Sequence, residues 1–285
     1  MAQRWNFRQE LVFCFGHHLA DNPTQHMLEK AFRHHGLNWR YVNFELGNER
    51  LAEAVRAVRV LGFRGGNCTM PCKVTVIPHL DRLGPSAGVM EAVNCVVVDG
   101  EEFIGENTDG KGFLQSLREV TEPAGKRVTI LGAGGAARAI AVETALAGAS
   151  RITIVNRSPQ RGQELVELLQ TRTEVEARFL PWQGNHAVSE DTEILINATS
   201  IGMHPDAGAR IPLRTDTLTP SMVVADVIAN PPQTRLLQDA AARGCTALDG
   251  LGMLVNQGVI SFRYWTGQDP DSSVMRAALE EVISG

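Results

Sequence analysis

Three groups of residues in this 285-residue chain have types and spacings that could do chemistry. The stretch GGNCTMPCKVTVIPHLD, residues 65–81, sets Asn67, Thr69 and Lys73 among apolar neighbours. A lysine can exchange a proton with a reacting oxygen, and a nearby carboxylate can hold and tune it. Asp109, in ENTDG, is the candidate carboxylate. Spacing along the chain does not bring the two together, and a lone lysine is most often a surface residue. On composition alone Lys73 therefore reads as catalyst or as surface group. Cys68 and Cys72 lie in the same stretch but lack a second Cys/His pair at zinc-site spacing, and no metal is expected.

The second group is GAGGAA, running Gly132, Ala133, Gly134, Gly135, Ala136, Ala137, with the form G-x-G-x-x-A. An apolar strand precedes it, an Ala-rich helix follows, and a second strand, RITIVN, comes next. In that context Gly132 permits a tight turn and Gly134 lets a pyrophosphate approach the backbone at a helix N-terminus. Ala137 allows the helix to sit close to the strand. The third group is NRSPQRG, which holds Asn156, Arg157, Ser158 and Arg161 at the end of that second strand. An acid there would hold the ribose hydroxyls of NAD. Two arginines and a serine suit a 2′-phosphate instead, which favours NADP.

The elements that must position these groups alternate in type. LVFCF and WRYVNFEL read as strands, and NPTQHMLEKAFRHHG reads as a helix capped by Asn22, with Pro23 at its first position and Gly36 as its stop. NERLAEAVRAVRVLG is a second helix, FRGGNCT a strand, and NCVVVDGEEFIG a hairpin turning at Asp99-Gly100. After ENTDGKGF the strand–turn–helix pattern restarts, with further strands at TEILINATS, MVVADVIANPP and CTALDG. The segment from Gly250 onward reads as amphipathic helix. Alternation of this kind implies α/β architecture with mainly parallel sheets.

Length suggests two domains, and a composition 44% hydrophobic and 21% charged is that of an ordinary globular protein. The net charge of −5 is dispersed, which argues against nucleic acid as the main partner. No apolar run reaches the length of a membrane helix, and LVFCF is too short for a signal segment, so a cytoplasmic protein that does not bind membranes is expected. Five irregularly spaced cysteines read as free thiols of a reducing compartment. A monomer or homodimer is expected.

The motifs NCTMPCK, EAVNC, NTDGKGF, GAGGAARA, NRS, NATSIGM and DGLGMLVNQG follow one another in the order found in the shikimate dehydrogenase family. The chain resembles that family over nearly its whole length. The resemblance implies a substrate domain of residues 1–108 plus 250–285, a Rossmann-type NADP domain of residues 109–249, and an active site in the cleft between them. It implies an NADP-dependent oxidoreductase that interconverts 3-dehydroshikimate and shikimate. Lys73 and Asp109 would be its catalytic pair, and Asn67, Thr69, Asn94 and Gln257 would hold substrate hydroxyls. Thr199, Ser200 and Met203 of NATSIGM would pass the cofactor, with Gly250 and Met253 near the nicotinamide, although core packing is an equal reading of Met253.

The sequence departs from the family pattern on the substrate side. Where the family has Ser-x-Ser before its first helix, this chain has Asn22 and Thr24, and Asn22 can equally serve as the helix cap alone. Ala229 of DVIANP stands where the family has a tyrosine; Glu91 replaces a glycine and Cys95 a threonine. These changes point to the shikimate dehydrogenase-like branch. Quinate or another cyclic hydroxy acid is the alternative substrate, and a weakly active NADP-binding regulatory protein the alternative class.

Overall fold

The computed structural model describes residues 7–20 and 22–283. Its contacts divide the chain into two compact units, residues 1–108 with 258–285, and residues 109–257. The second boundary falls inside a helix, eight residues beyond Gly250.

The first unit is built on a six-stranded sheet. Its strands are β1 (Glu10–Gly16), β2 (Trp39–Glu45), β3 (Gly65–Cys68), β4 (Arg82–Leu83), β5 (Cys95–Asp99) and β6 (Glu102–Glu106), in the order β2-β1-β3-β5-β6-β4. β1 pairs in parallel with both β2 and β3, and β5 and β6 form the antiparallel hairpin. Three of the five ladders are parallel, as the alternation implied, and the expected hairpin makes the sheet mixed. The short turn at Asp99-Gly100 permits only an antiparallel return. From Val12 to Phe15 the run LVFCF is buried on both faces, as a strand covered on two sides must be. Phe13 and Phe15 stack at 4.2 Å and share a core with Leu51, Val55 and Val58 of α2 (Leu51–Val60).

Helix α1 (Pro23–His34) has the expected cap: Asn22 Oδ1 accepts the Thr24 N–H at 3.0 Å. It buries Met27, Leu28, Ala31 and Phe32, the last stacked on Phe262 at 5.3 Å. The short helices α3 (Cys72–Thr75) and α4 (Pro85–Met90) follow β3 and β4. Helix α5 (Thr108–Arg118) leads into the second unit.

The second unit has an all-parallel six-stranded sheet. β7 (Arg127–Leu131), β8 (Arg151–Asn156), β9 (Glu176–Pro181), β11 (Ile194–Asn197), β13 (Val223–Asp226) and β14 (Thr246–Leu248) lie in the order β14-β13-β11-β7-β8-β9. β10 (His186–Ala187) and β12 (Leu213–Arg214) form a separate ladder. Helix α6 (Gly135–Leu146) joins β7 to β8, α7 (Pro159–Arg172) joins β8 to β9, and α8 (Arg235–Ala242) precedes β14. This is the doubly wound, Rossmann-type order, whose winding reverses between β7 and β11. Ala137, Ala139 and Ala141 are buried in α6, whose small side chains let it lie close to the sheet. Two helices close the chain, α9 (Leu251–Thr266) and α10 (Ser272–Ile283).

Candidate active site

Because β1, β2 and β3 run in parallel, and β6 runs with them across the hairpin, their carboxyl ends share one edge of the first sheet. Side chains at that edge converge from segments far apart in sequence. Asn67 lies near the end of β3, Thr69 just after it, and Lys73 in the one-turn α3 that follows. The Thr69 N–H donates to the Phe15 carbonyl at 2.8 Å and the Cys72 N–H to the Thr69 carbonyl at 2.7 Å, which fixes the loop carrying Lys73. The Lys73 carbonyl accepts the Val93 N–H at 2.7 Å, joining this loop to the segment that bears Asn94. Lys73 is half-buried, not the fully solvated group that a lone lysine usually is.

A chain of buried polar groups backs this edge. Tyr41, 1% exposed, donates its hydroxyl to Asn67 Oδ1 at 2.9 Å. Asn67 Nδ2 donates to the Asn94 carbonyl at 3.0 Å. Asn94 Oδ1 accepts the Thr108 N–H at 2.6 Å, and Asn94 Nδ2 donates to Thr108 Oγ1 at 3.0 Å. Thr108 Oγ1 also lies 3.4 Å from Ser261 Oγ on α9. One turn further along α9, the Trp265 ring lies 6.3 Å from that of Tyr41. Both ends of the chain thus meet one face of α9. Asn94 is engaged by Thr108 at both ends of its amide, and Thr108 is the residue before Asp109. Tyr41 escapes a sequence reading because an aromatic residue in a β-rich run looks like core; its hydroxyl is the only signal.

Asn22 and Thr24 open α1. The Asn22 carbonyl oxygen is engaged by the Thr24 N–H, and its amide points to Cys14 Sγ at 3.8 Å. In the loop between β1 and α1, Glu45 Oε1 accepts the Leu19 N–H at 2.7 Å. A carboxylate of the protein itself therefore occupies a backbone donor beside this helix start. Burial pushes the Cys14 thiol up to about 11 and raises Cys68 and Cys72 as well, which keeps all three neutral and poorly nucleophilic. Among the described residues, no group of three His, Cys, Asp or Glu side chains could hold a metal ion.

In the second unit, Gly132 follows β7 directly with φ +109°, a backbone conformation that favours glycine. A Cβ there would lie 2.9 Å from the Ala198 carbonyl oxygen, so the turn and the segment after β11 are in close contact. A Cβ at Gly134 or Gly135 would meet nothing within 4 Å, leaving open space above the N-terminus of α6. That space and its backbone donors fit a dinucleotide pyrophosphate. At the end of β8, Asn156 Nδ2 donates to the Ser158 carbonyl at 3.0 Å, and Ser158 caps α7 by accepting the Arg161 N–H at 3.4 Å. Arg157 and Arg161 are exposed, and neither guanidinium pairs with a carboxylate among the described residues. Two cations that form no ion pair suit a 2′-phosphate.

Thr199 is held by Asn197 Oδ1, which accepts its N–H at 3.0 Å and its hydroxyl at 2.7 Å. Ser200 and Met203 follow on the exposed part of the same loop. Gly250 packs against the segment after β13, where a Cβ would lie 2.6 Å from the Ile228 carbonyl carbon. Met253 is half-buried and Gln257 buried on α9, where a Cβ at Gly112 would lie 2.8 Å from the Met253 carbonyl oxygen and 2.7 Å from the Gln257 nitrogen. Ala229 is half-buried in the loop that leaves β13.

Residues 14–96 match the family model for the shikimate dehydrogenase substrate binding domain, residues 116–233 that for shikimate / quinate 5-dehydrogenase, and residues 250–280 that for the shikimate 5′-dehydrogenase C-terminal domain. A shikimate dehydrogenase (NADP(+)) of Methanopyrus kandleri is 39% identical over 275 residues, 95% of each chain. The chain belongs to the shikimate dehydrogenase family. Among solved structures of similar fold is the ligand-free 5-ketofructose reductase of a Gluconobacter species, 51% identical with a TM-score of 0.94, covering 97% of this chain and 100% of that one. Another is the shikimate dehydrogenase of Thermus thermophilus in complex with NADP(H) and shikimate, 32% identical with a TM-score of 0.82, covering 96% and 99%.

Proposed function

We propose that this member of the shikimate dehydrogenase family is an NADP-dependent oxidoreductase that interconverts 3-dehydroshikimate and shikimate, or a close polyhydroxylated relative. The observation that carries the reading is the glycine turn at the β7/β11 reversal, followed at the end of β8 by two unpaired arginines. When bound, NADPH supplies the hydride. Gly132, Ala133, Gly134, Gly135 and Ala136 offer the backbone turn for its pyrophosphate, and Asn156, Arg157, Ser158 and Arg161 the contacts for its 2′-phosphate. Thr199, Ser200, Met203, Gly250 and Met253 border the rest of it.

On the substrate side, Lys73 delivers a proton to the carbonyl oxygen as the alcohol forms, and takes it back in the reverse direction. Asp109 acts with Lys73 as its carboxylate. Asn67, Thr69, Asn94 and Gln257 hold ring hydroxyls, and Asn22 and Thr24 stand at the acid end of the substrate. A ring with several hydroxyls needs such paired donors and acceptors, because each buried polar group left unpaired costs about 1–3 kcal/mol.

A second reading of the substrate has specific support. No lysine or arginine lies between residues 17 and 29, and Asp21 adds a negative charge there by sequence. Asn22 is engaged by its own helix, Glu45 occupies the Leu19 N–H, and Ala229 lacks a hydroxyl. Such a loop suits an uncharged polyhydroxy ketone, and the relative that is 51% identical is a 5-ketofructose reductase. The test is the loss of reduced-nicotinamide absorbance with purified protein, 3-dehydroshikimate and 5-ketofructose, each with NADPH and NADH. Faster turnover of 3-dehydroshikimate supports the first reading and faster turnover of 5-ketofructose the second. No turnover of either, in protein that binds NADPH, would refute both.

A further inference from the structure

At the carboxyl edge of the second sheet, two polar residues are as buried as any in the core. Asn197 ends β11 at 0% exposure, and Asp226 ends β13 at 1%. The strands are paired in register at these two positions, so the side chains lie next to one another. Asp226 Oδ1 accepts Asn197 Nδ2–H at 2.9 Å and the Ile228 N–H at 3.1 Å. Its Oδ2 accepts the Thr234 hydroxyl at 2.7 Å. Nothing in the proposed chemistry uses this carboxylate, yet a buried charge persists only when its partners compensate it.

Each partner leads to a different segment. Asn197 uses its other end, Oδ1, to hold the N–H and hydroxyl of Thr199, and this segment lies against the Gly132 turn. Ile228 lies in the loop that leaves β13, against which Gly250 packs. Thr234 caps α8, accepting the Leu237 N–H at 3.4 Å. One carboxylate therefore ties the exit of β11, the exit of β13 and the start of α8 into a single rim. In an open parallel sheet, ligands bind outside the carboxyl ends of the strands where the winding reverses, here between β7 and β11. The rim flanks that place.

We infer that Asp226 is a positioning residue for the dinucleotide, acting through Asn197 to hold the Thr199 segment against the glycine turn. The inference rests on the NADP-dependent reading. Geometry, not charge, is its essential contribution. An amide at this position can accept from Asn197 and Ile228 and donate to Thr234, whose hydroxyl is free to turn. A glutamate keeps the charge but is one methylene too long for the three contacts.

The experiment is a fluorescence titration of NADPH into wild-type protein and into Asp226→Asn, Asp226→Glu and Asp226→Ala, beside their thermal melts. The expected order is a wild-type-like Kd for Asp226→Asn, within about threefold, and weakening of about tenfold for Asp226→Glu and Asp226→Ala. Folded Asp226→Ala and Asp226→Glu proteins that bind NADPH as wild type does would overturn the inference. So would an Asp226→Glu protein that binds normally while Asp226→Asn does not, because the charge would then be what matters. If the alanine and glutamate variants do not fold, Thr234→Val removes one arm of the clamp. Faster amide exchange around residues 199–203 and 227–234, with weakened NADPH binding, is then expected. Unchanged exchange and unchanged Kd would overturn the proposal. Wild-type protein that does not bind NADPH at all would sink the functional reading itself.

Discussion

Replacing Tyr41 by phenylalanine removes one oxygen atom from the middle of the first unit. The ring stays, and so does its packing on Trp265. What goes is the donor to Asn67 Oδ1, on a residue only 7% exposed, so water does not readily replace it. Leaving a buried acceptor unsatisfied costs about 1–3 kcal/mol. At roughly 2–4 °C per kcal/mol for a chain of this size, the melting temperature should fall by about 2–12 °C. Function should change in a particular way. Asn67 keeps its Nδ2 contact to the Asn94 carbonyl but is freed to swing about it. A substrate hydroxyl held by Asn67 is then held less well in ground and transition states alike. KM for the carbonyl substrate should rise about tenfold, with kcat within about threefold and NADPH affinity unchanged. Steady-state kinetics with a melt of the same preparation reads both quantities. Asn67→Ala supplies the decisive comparison: if Tyr41 acts through Asn67, the double variant should be no worse in KM than Asn67→Ala alone. Fully additive effects on KM, or a melting temperature within about 1 °C of wild type, would refute the reasoning.

Other predictions address the remaining parts of the site. Lys73→Ala should lower kcat by about 10²–10⁴-fold, the usual worth of a positioned proton donor, while fluorescence titration finds NADPH binding unchanged. Arg157→Ala with Arg161→Ala should raise KM for NADP about 30-fold, at about 1 kcal/mol for each exposed charged contact, and leave NAD kinetics unaltered; equal losses with both cofactors would count against a 2′-phosphate site. Burial pushes the Asp226 carboxyl above its ordinary range. A raised folded-state value means that ionising this group costs the native protein stability. Its contribution is greatest below the unfolded value of about 3.9 and is lost as pH climbs through the folded value. Asp226→Asn should therefore melt at or above the wild-type temperature near neutral pH, with the gap narrowing as pH falls and the carboxyl becomes protonated. Melts across that range check the sign.

The division between what the sequence determined and what the tertiary structure decided follows from the reach of the interactions involved. Local signals were legible because they act over a few residues. The Asn22 cap and Pro23 start of α1, the hairpin at Asp99-Gly100, and the strand–glycine–helix succession around Gly132 each form where the sequence places them. Their physics is contained in one turn of backbone. The order of the motifs was equally legible and carried the family. Strand order was not: β4 pairs with β6, and β3 meets β5 antiparallel, because those choices depend on which faces remain uncovered once the helices have packed.

The site divides in the same way. Its individual side chains could be named one by one, but their supports could not. Tyr41 reaches Asn67 across 26 residues, Asn197 reaches Asp226 across 29, and Ser261 reaches Thr108 across 153. Glu45 is an ordinary strand-end acid until the fold sets it 2.7 Å from the Leu19 N–H. Burial and partnership turn common residues into positioning groups, and both are properties of the packed chain. Sequence alone thus determined which residues could do chemistry; only the tertiary structure decided which buried polar groups hold them there.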